Sequence, residues 1–106
     1  MEVNISARHF EVTDALERHI RRLAEKLPRL DGKLQRLDVI LTMDGSTASA
    51  EVHARCHRAD LVARTTGHDM YGCVEEAFDR LRIQVGRLHE RIVAHKDAGH
   101  GARSSQ

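Results

Sequence analysis

Residues 69–96, DMYGCVEEAFDRLRIQVGRLHERIVAHK, decide how the rest of this chain can fold. Apolar side chains recur along the stretch at intervals of three and four residues, at Val74, Phe78, Leu81, Val85, Leu88 and Ile92. This spacing places the apolar side chains on one face of an α-helix, and it does not fit a strand, whose side chains alternate with a period of two. The stretch therefore predicts one long amphipathic helix that must cover an apolar surface.

The polar surface of this predicted helix is sorted by charge. At about 100° per residue, the side chains of Arg80, Arg87 and Arg91 fall within about 40° of one another, with Gln84 beside them. The acidic side chains lie mostly on the back of the helix, at Glu75, Glu76, Asp79 and Glu90. A helix that buries one face and lines another with arginine is a candidate docking surface for an anionic partner.

A shorter amphipathic helix is predicted between a cap at Thr13 or Asp14 and a stop before Pro28. Its apolar face is formed by Leu16, Ile20, Leu23 and Leu27, and a separate basic row follows at Arg18, Arg22, Lys26 and Arg29. Rows of closely spaced cations suit backbone phosphates, and the arginine fork can bind a phosphate through two bonds. The alternative is that both basic rows are ordinary solvated surfaces, partly neutralised by neighbouring acids.

Four further segments, near residues 2–8, 37–43, 50–56 and 61–66, alternate apolar and polar side chains as half-buried strands do. The predicted order is β-α-β-β-β-α. Because every element has one apolar face, we expect an α+β two-layer sandwich, in which both helices cover one face of a four-stranded sheet. Residues 1–97 are expected to form one domain, and residues 98–106 a disordered tail.

Composition alone does not indicate a nucleic-acid binder, since 17 basic and 16 acidic residues give a net charge of +1. The distribution is more informative, because residues 80–96 contain five Lys or Arg and one acid. The first residues do not have the pattern of a signal peptide, and we expect none; no apolar run is long enough to span a membrane. We expect a soluble cytoplasmic protein that does not bind membranes, with Cys56 and Cys73 as free thiols.

The sequence carries no recognisable catalytic motif. His53 and His57 lie four residues apart with Cys56 between them, but a metal site would need further ligands at fixed geometry. A metal- or thiol-dependent enzyme built on these three residues is the weakest of the alternatives. We therefore expect no metal, no cofactor, no small-molecule substrate and no enzymatic activity.

Several short segments together resemble the short ribosome hibernation-promoting factors, also described as ribosome-associated translation inhibitors. They are TDAL at 13–16, KL at 26–27, GHDMY at 67–71 and DRL at 79–81. The resemblance runs from Met1 to about Lys96, and the opening strand and the Asp-Met-Tyr helix start are its most specific parts. A small interaction module that binds an acidic protein through the same helices is the alternative function.

The resemblance implies a fold related to double-stranded RNA-binding domains and a non-enzyme that binds the small ribosomal subunit between head and body. There it would overlap messenger and tRNA sites, inhibiting translation under stress or in stationary phase. Long relatives carry an extra domain that pairs ribosomes, so any pairing by this chain is expected to need an additional hibernation factor.

In the family, basic side chains of both helices contact ribosomal RNA, and the matching positions here are Lys26, Arg80, Arg87 and Arg91. His89 stands where the family commonly has lysine, and Ile83 where it commonly has a basic residue. The complete predicted RNA-binding set is Arg22, Lys26, Arg29, Arg80, Arg87, His89, Arg91 and Lys96.

Overall fold

The structure, a computed structural model, describes residues 1–28, 32–57 and 59–101, with side chains as far as Arg91 in the last range. The elements are β1 (Glu2–Arg8), α1 (Asp14–Glu25), β2 (Leu34–Asp44), β3 (Thr47–Cys56), β4 (Ala59–Gly67) and α2 (Met70–Gly101). The predicted order β-α-β-β-β-α is confirmed.

The four strands form one mixed sheet in the order β1-β2-β3-β4. β1 runs parallel to β2, and the other two pairs are antiparallel. A parallel pair needs a long crossover connection, which α1 provides. The register aligns Ile5, Val39, Val52 and Ala63 in one row across the sheet, so apolar side chains from all four strands share a face.

Both helices cover that apolar face. Ile20 of α1 and Leu81 and Val85 of α2 are fully buried against it, together with Leu37 and Val39 of β2. Burial of such side chains is the main source of stability in a domain of this size. The predicted two-layer α+β sandwich is therefore confirmed, and the polar face of the sheet is not covered by either helix.

The start of α1 settles which residue caps it. The Thr13 hydroxyl oxygen accepts a hydrogen bond from the Leu16 backbone N–H at 3.1 Å, so Thr13 is the cap rather than Asp14. Glu17, in the first turn of the helix, pairs with Arg21 at 3.1 Å. The helix ends at Glu25, slightly before the stop expected near Pro28.

Some boundaries differ from the sequence prediction. The second strand, expected near residues 37–43, begins earlier, at Leu34, which is buried opposite Cys56. The hairpin between β2 and β3 contains Gly45 at φ +63°, a conformation that favours glycine. Residues 98–101, expected in the disordered tail, continue α2 to Gly101; residues 102–106 lie outside the described residues, so a tail there stays a prediction. No described helix is both long and apolar enough to cross a membrane.

Candidate nucleic-acid interface

The arginine side of α2 lies over the outer edge of the sheet. The Arg80 Nη1 donates to the backbone carbonyl of Arg64 at 2.9 Å, and the Gln84 Nε2 donates to that of Val62 at 2.8 Å. Both carbonyls belong to β4, the last strand of the sheet. We call this side of the helix the α2 flank; it consists of Arg80, Gln84, Arg87 and Arg91.

The arginines of the α2 flank are not equally free. The Arg80 Nη2 lies 2.7 Å from the Glu76 carboxylate, so its guanidinium is shared between a carboxylate and a strand carbonyl. Arg87 and Arg91 are exposed, and no carboxylate among the described side chains pairs with them. Free cations are therefore concentrated in the later part of the flank.

On α1, the basic row predicted from the sequence is exposed. Arg18, Arg22 and Lys26 face solvent, and within residues 1–28, 32–57 and 59–91 none of them pairs with a carboxylate. It is Arg21, outside the predicted row, that pairs with Glu17 of the same helix. Arg29, the last member of the predicted row, lies outside the described residues.

The two basic rows do not merge, a question that the sequence left open. α1 meets the opposite side of α2: the His19 Nε2 lies 3.1 Å from the Glu75 carboxylate, and the His19 and Tyr71 rings are 5.4 Å apart. A groove of about 100 Å³ runs between the helices, lined by Leu23, Lys26, Leu27, Glu75, Phe78, Asp79 and Arg82. Lys26 thus faces this groove, whereas the α2 flank lies on the far side of its helix.

The remaining predicted site residues fall in different places. His89 is exposed, but it follows Arg80 by nine residues and therefore lies about 180° around α2 from it. Lys96 lies within the helix, but its side chain is outside the described part. Ile83 is 47% exposed.

The uncovered face of the sheet, here called the open face, balances most of its own charge. Arg36 lies 3.1 Å from Asp38, and Arg55 lies 3.7 Å from Asp60. Burial raises the pKa of Asp38, but the hydrogen bonds from Arg36 and Asn4 outweigh it, and the pKa is lowered overall. This end of the open face, near the start of β1, is therefore close to neutral.

The other end of the open face contains a pocket of about 210 Å³ that we call the rim pocket. Its side chains on the open face are Arg8, Ile40, Thr42, Ser49, Glu51, Arg64 and Thr66. Glu51 accepts a hydrogen bond from His53, which is the main reason that its pKa is lowered, and the Arg64 charge adds to the effect. Sequence reasoning placed Arg8 and Arg64 on polar strand faces but did not identify them as site residues, because the register that brings them together was unknown.

The candidate metal or thiol site does not assemble. Cys56 is buried in the core, whereas His53 lies on the open face beside Glu51. Burial raises the pKa of the Cys56 thiol, and the nearby Asp60 charge raises it further. Burial likewise raises the pKa of Cys73. Both thiols are free and protonated at neutral pH, and the described side chains contain no metal-binding group of three or more His, Cys, Asp or Glu.

The fold and its exposed cations define a small α+β domain with separate basic surfaces on two helices that share one face of a mixed sheet. Residues 3–93 match the family described as "Sigma 54 modulation protein / S30EA ribosomal protein". Because the match spans most of the 106 residues, the chain belongs to this family.

Relatives and solved structures agree with this assignment. The chain is 28% identical over 93 residues to a ribosome hibernation promoting factor of Azotobacter vinelandii, covering 88% of this chain and 87% of that protein. A ribosomal subunit interface protein from Coxiella burnetii superposes with a TM-score of 0.77 at 12% identity, over 83% of this chain and 97% of the other. The N-terminal domain of Thermus thermophilus Protein Y superposes with a TM-score of 0.67 at 27% identity, over 82% and 94%. The predicted family and fold are therefore confirmed.

Proposed function

We propose that this protein is a ribosome hibernation factor that binds the small ribosomal subunit through ribosomal RNA and inhibits translation in stress or stationary phase. Family membership and the name of the Azotobacter relative support the ribosome as partner. The structural observation that carries the proposal is the pair of exposed basic surfaces, since Arg87, Arg91, Arg22 and Lys26 have no carboxylate partner in the described part of the chain.

The arrangement of the cations favours a partner that contacts the domain on more than one side. The α2 flank lies over β4, and the α1 row lies on the back of α1 and at the groove, on the other side of α2. A flat partner could not reach both surfaces at once, whereas a slot with RNA on two walls could. The channel between the head and body of the small subunit is the location we propose.

Binding in such a channel requires no chemistry from the protein. Phosphate contacts position a domain without reading bases, and arginine can take two phosphate oxygens at once. The fully buried core makes the domain rigid, so that its bulk excludes messenger and tRNA from the sites it overlaps. The proposed place of action is the cytoplasm, and the proposed RNA-binding set is Arg22, Lys26, Arg29, Arg80, Arg87, His89, Arg91 and Lys96.

Charge reversal of the α2 flank tests the proposal. The combined variant Arg80→Glu, Arg87→Glu and Arg91→Glu is expected to remain folded, because all three side chains are exposed. It should lose co-sedimentation with purified small subunits and should no longer inhibit translation in a cell-free extract. Wild-type binding should also weaken steeply with salt, as expected for contacts that displace counterions from phosphate.

The control reverses two exposed arginines of the open face that are paired with acids, Arg36→Glu and Arg55→Glu. Circular dichroism melts establish that both variants are folded. The control should sediment with small subunits as the wild type does. If the folded α2-flank variant also binds like the wild type, the flank is not the ribosome-binding surface and the proposal is wrong.

A further inference from the structure

The rim pocket places hydroxyl groups and two arginines on one surface. The strand register aligns Arg8, Thr42, Ser49 and Thr66 in a single row across all four strands. Residues paired in this way point to the same side of a sheet. Arg64 belongs to the next row, and it closes the pocket from β4.

From this geometry we propose that the rim pocket binds a phosphate group of ribosomal RNA, as an extension of the RNA-binding surface beyond the two helices. The inference rests on the proposed function, and it names a subsite that the basic helical rows do not include. The pocket volume of about 210 Å³ leaves room for a phosphate group. Guanidinium N–H groups and Ser or Thr hydroxyls are donors, which is what phosphate oxygens require.

The two arginines of the rim pocket retain donors for a ligand. Arg8 is exposed, and no acid among the described side chains pairs with it. Arg64 is 73% exposed and uses its Nε for Glu51 at 2.9 Å, which leaves the terminal nitrogens of its guanidinium. Glu51, the carboxylate in the pocket, also accepts a hydrogen bond from His53, so its charge is shared. Two arginines against one carboxylate leave the pocket net positive.

Arg64 connects the rim pocket to the α2 flank. It also lines a second hollow, of about 200 Å³, on the β4 edge together with Glu76 and Arg80. The Arg64 carbonyl accepts the hydrogen bond from Arg80. Arginine side chains therefore follow one another from α2 around the edge strand to the open face, with Glu76 and Glu51 between them. An RNA strand lying along the flank can place a neighbouring phosphate in the rim pocket.

At the opposite end of the same open face, the arginines are paired with acids, and we propose no phosphate site there. There Arg36 and Arg55 each lie within 4 Å of an acid, at 3.1 Å from Asp38 and 3.7 Å from Asp60. Each end of the open face has two arginines on the same set of strands. Among the residues whose side chains are described, only the rim pocket contains an arginine without an acidic partner. Removing two arginines from the paired end therefore serves as a control with the same change of charge.

The experiment compares two double variants in binding to purified small subunits at several salt concentrations. Arg8→Ala with Arg64→Ala removes both cationic contacts to the bound phosphate; affinity should fall by about tenfold or more, and the salt slope by roughly one. Arg36→Ala with Arg55→Ala removes the same charge from the paired end, and it should change affinity less than about twofold, because these arginines are already paired with Asp38 and Asp60 and no phosphate is proposed there. Equal losses in both double variants would overturn the inference, because they would reflect overall charge alone.

A third variant shifts binding in the opposite direction. Glu51→Gln removes the carboxylate of the rim pocket and frees Arg64 from its ion pair. It should bind small subunits more tightly than the wild type, most clearly at low salt. Weaker binding by the folded variant would contradict a phosphate site and would indicate that Glu51 acts by holding the surface in shape.

These outcomes are separable from failure of the proposed function. If the α2-flank variant loses binding while Arg8→Ala with Arg64→Ala keeps wild-type affinity and salt slope, the rim pocket is not a subsite and the hibernation function stands. If neither variant changes binding, both proposals are wrong.

Discussion

The two faces of the sheet use the same strands for different purposes. On the helix-covered face, Val39, Val52 and Ala63 are buried under α1 and α2. On the open face, their neighbours carry charges that are largely paired with one another and stay in contact with solvent. Stability is therefore concentrated on the helix-covered face. Side chains of the open face can be replaced by ones that bind a partner with little effect on the fold.

The largest expected effect is on the covered face. Leu81→Ala removes a fully buried side chain where α2 meets the sheet and should lower the free energy of unfolding by about 2–5 kcal/mol. Val62→Ala on the open face, where the side chain is 41% exposed, should change it by less than about 0.5 kcal/mol. Urea denaturation followed by circular dichroism measures both. If the two variants lost similar amounts of unfolding free energy, stability would not be concentrated on the helix-covered face.

A smaller effect is expected for the one buried polar side chain among those described, Thr65. Its hydroxyl donates to the Cys73 carbonyl at 2.6 Å, joining β4 to the first turn of α2. Thr65→Val keeps the shape and removes the donor, which should cost about 0.5–1.5 kcal/mol of unfolding free energy. The neighbouring Thr66→Val on the open face is the control and should be close to neutral in the same urea titration; a neutral Thr65→Val would mean that the hydrogen bond adds nothing.

The smallest effect concerns acid stability of the open face. The pKa of Glu51 is lowered in the folded state by His53 and Arg64. The stabilisation is therefore present above the unfolded pKa of glutamate, about 4.3, and is lost as the pH falls through the lower folded value. As the pH falls from about 5 to about 3, the free energy of unfolding should decrease less for Glu51→Gln than for the wild type. Urea midpoints across this range provide the measurement, and parallel curves would show that the ion pair does not contribute.

Much of the fold could be predicted from the sequence because periodicity is a local property. The spacing of apolar residues from Val74 to Leu88 predicted α2, and the alternation of apolar and polar side chains predicted the strands that α2 covers. The ends of elements were less accurate, since Leu34 fits a loop or a strand until its pairing with Cys56 is known. The extent of β2 therefore depended on a tertiary contact that no local pattern contains.

The candidate site was predictable only in part, for the same reason. The exposure of Arg87 and Arg91 follows from helix geometry, and the structure places both in solvent. The hydrogen bond from Arg80 to β4 does not follow from helix geometry, because it depends on which strand lies beneath α2. That Arg8 and Arg64 line one pocket depends on the register across all four strands, and alternation alone could show only that each was on a polar face.

The side-chain hydrogen bonds from Arg80 and Gln84 also have a consequence for how copies of this molecule behave when crowded. Strands at a sheet margin expose backbone groups that can recruit a strand from another chain and start aggregation. On β4, two of the carbonyls that such a strand would use already hold donors from α2. A further strand could pair with β4 only by displacing the Arg80 and Gln84 side chains, so α2 obstructs growth of the sheet at this margin.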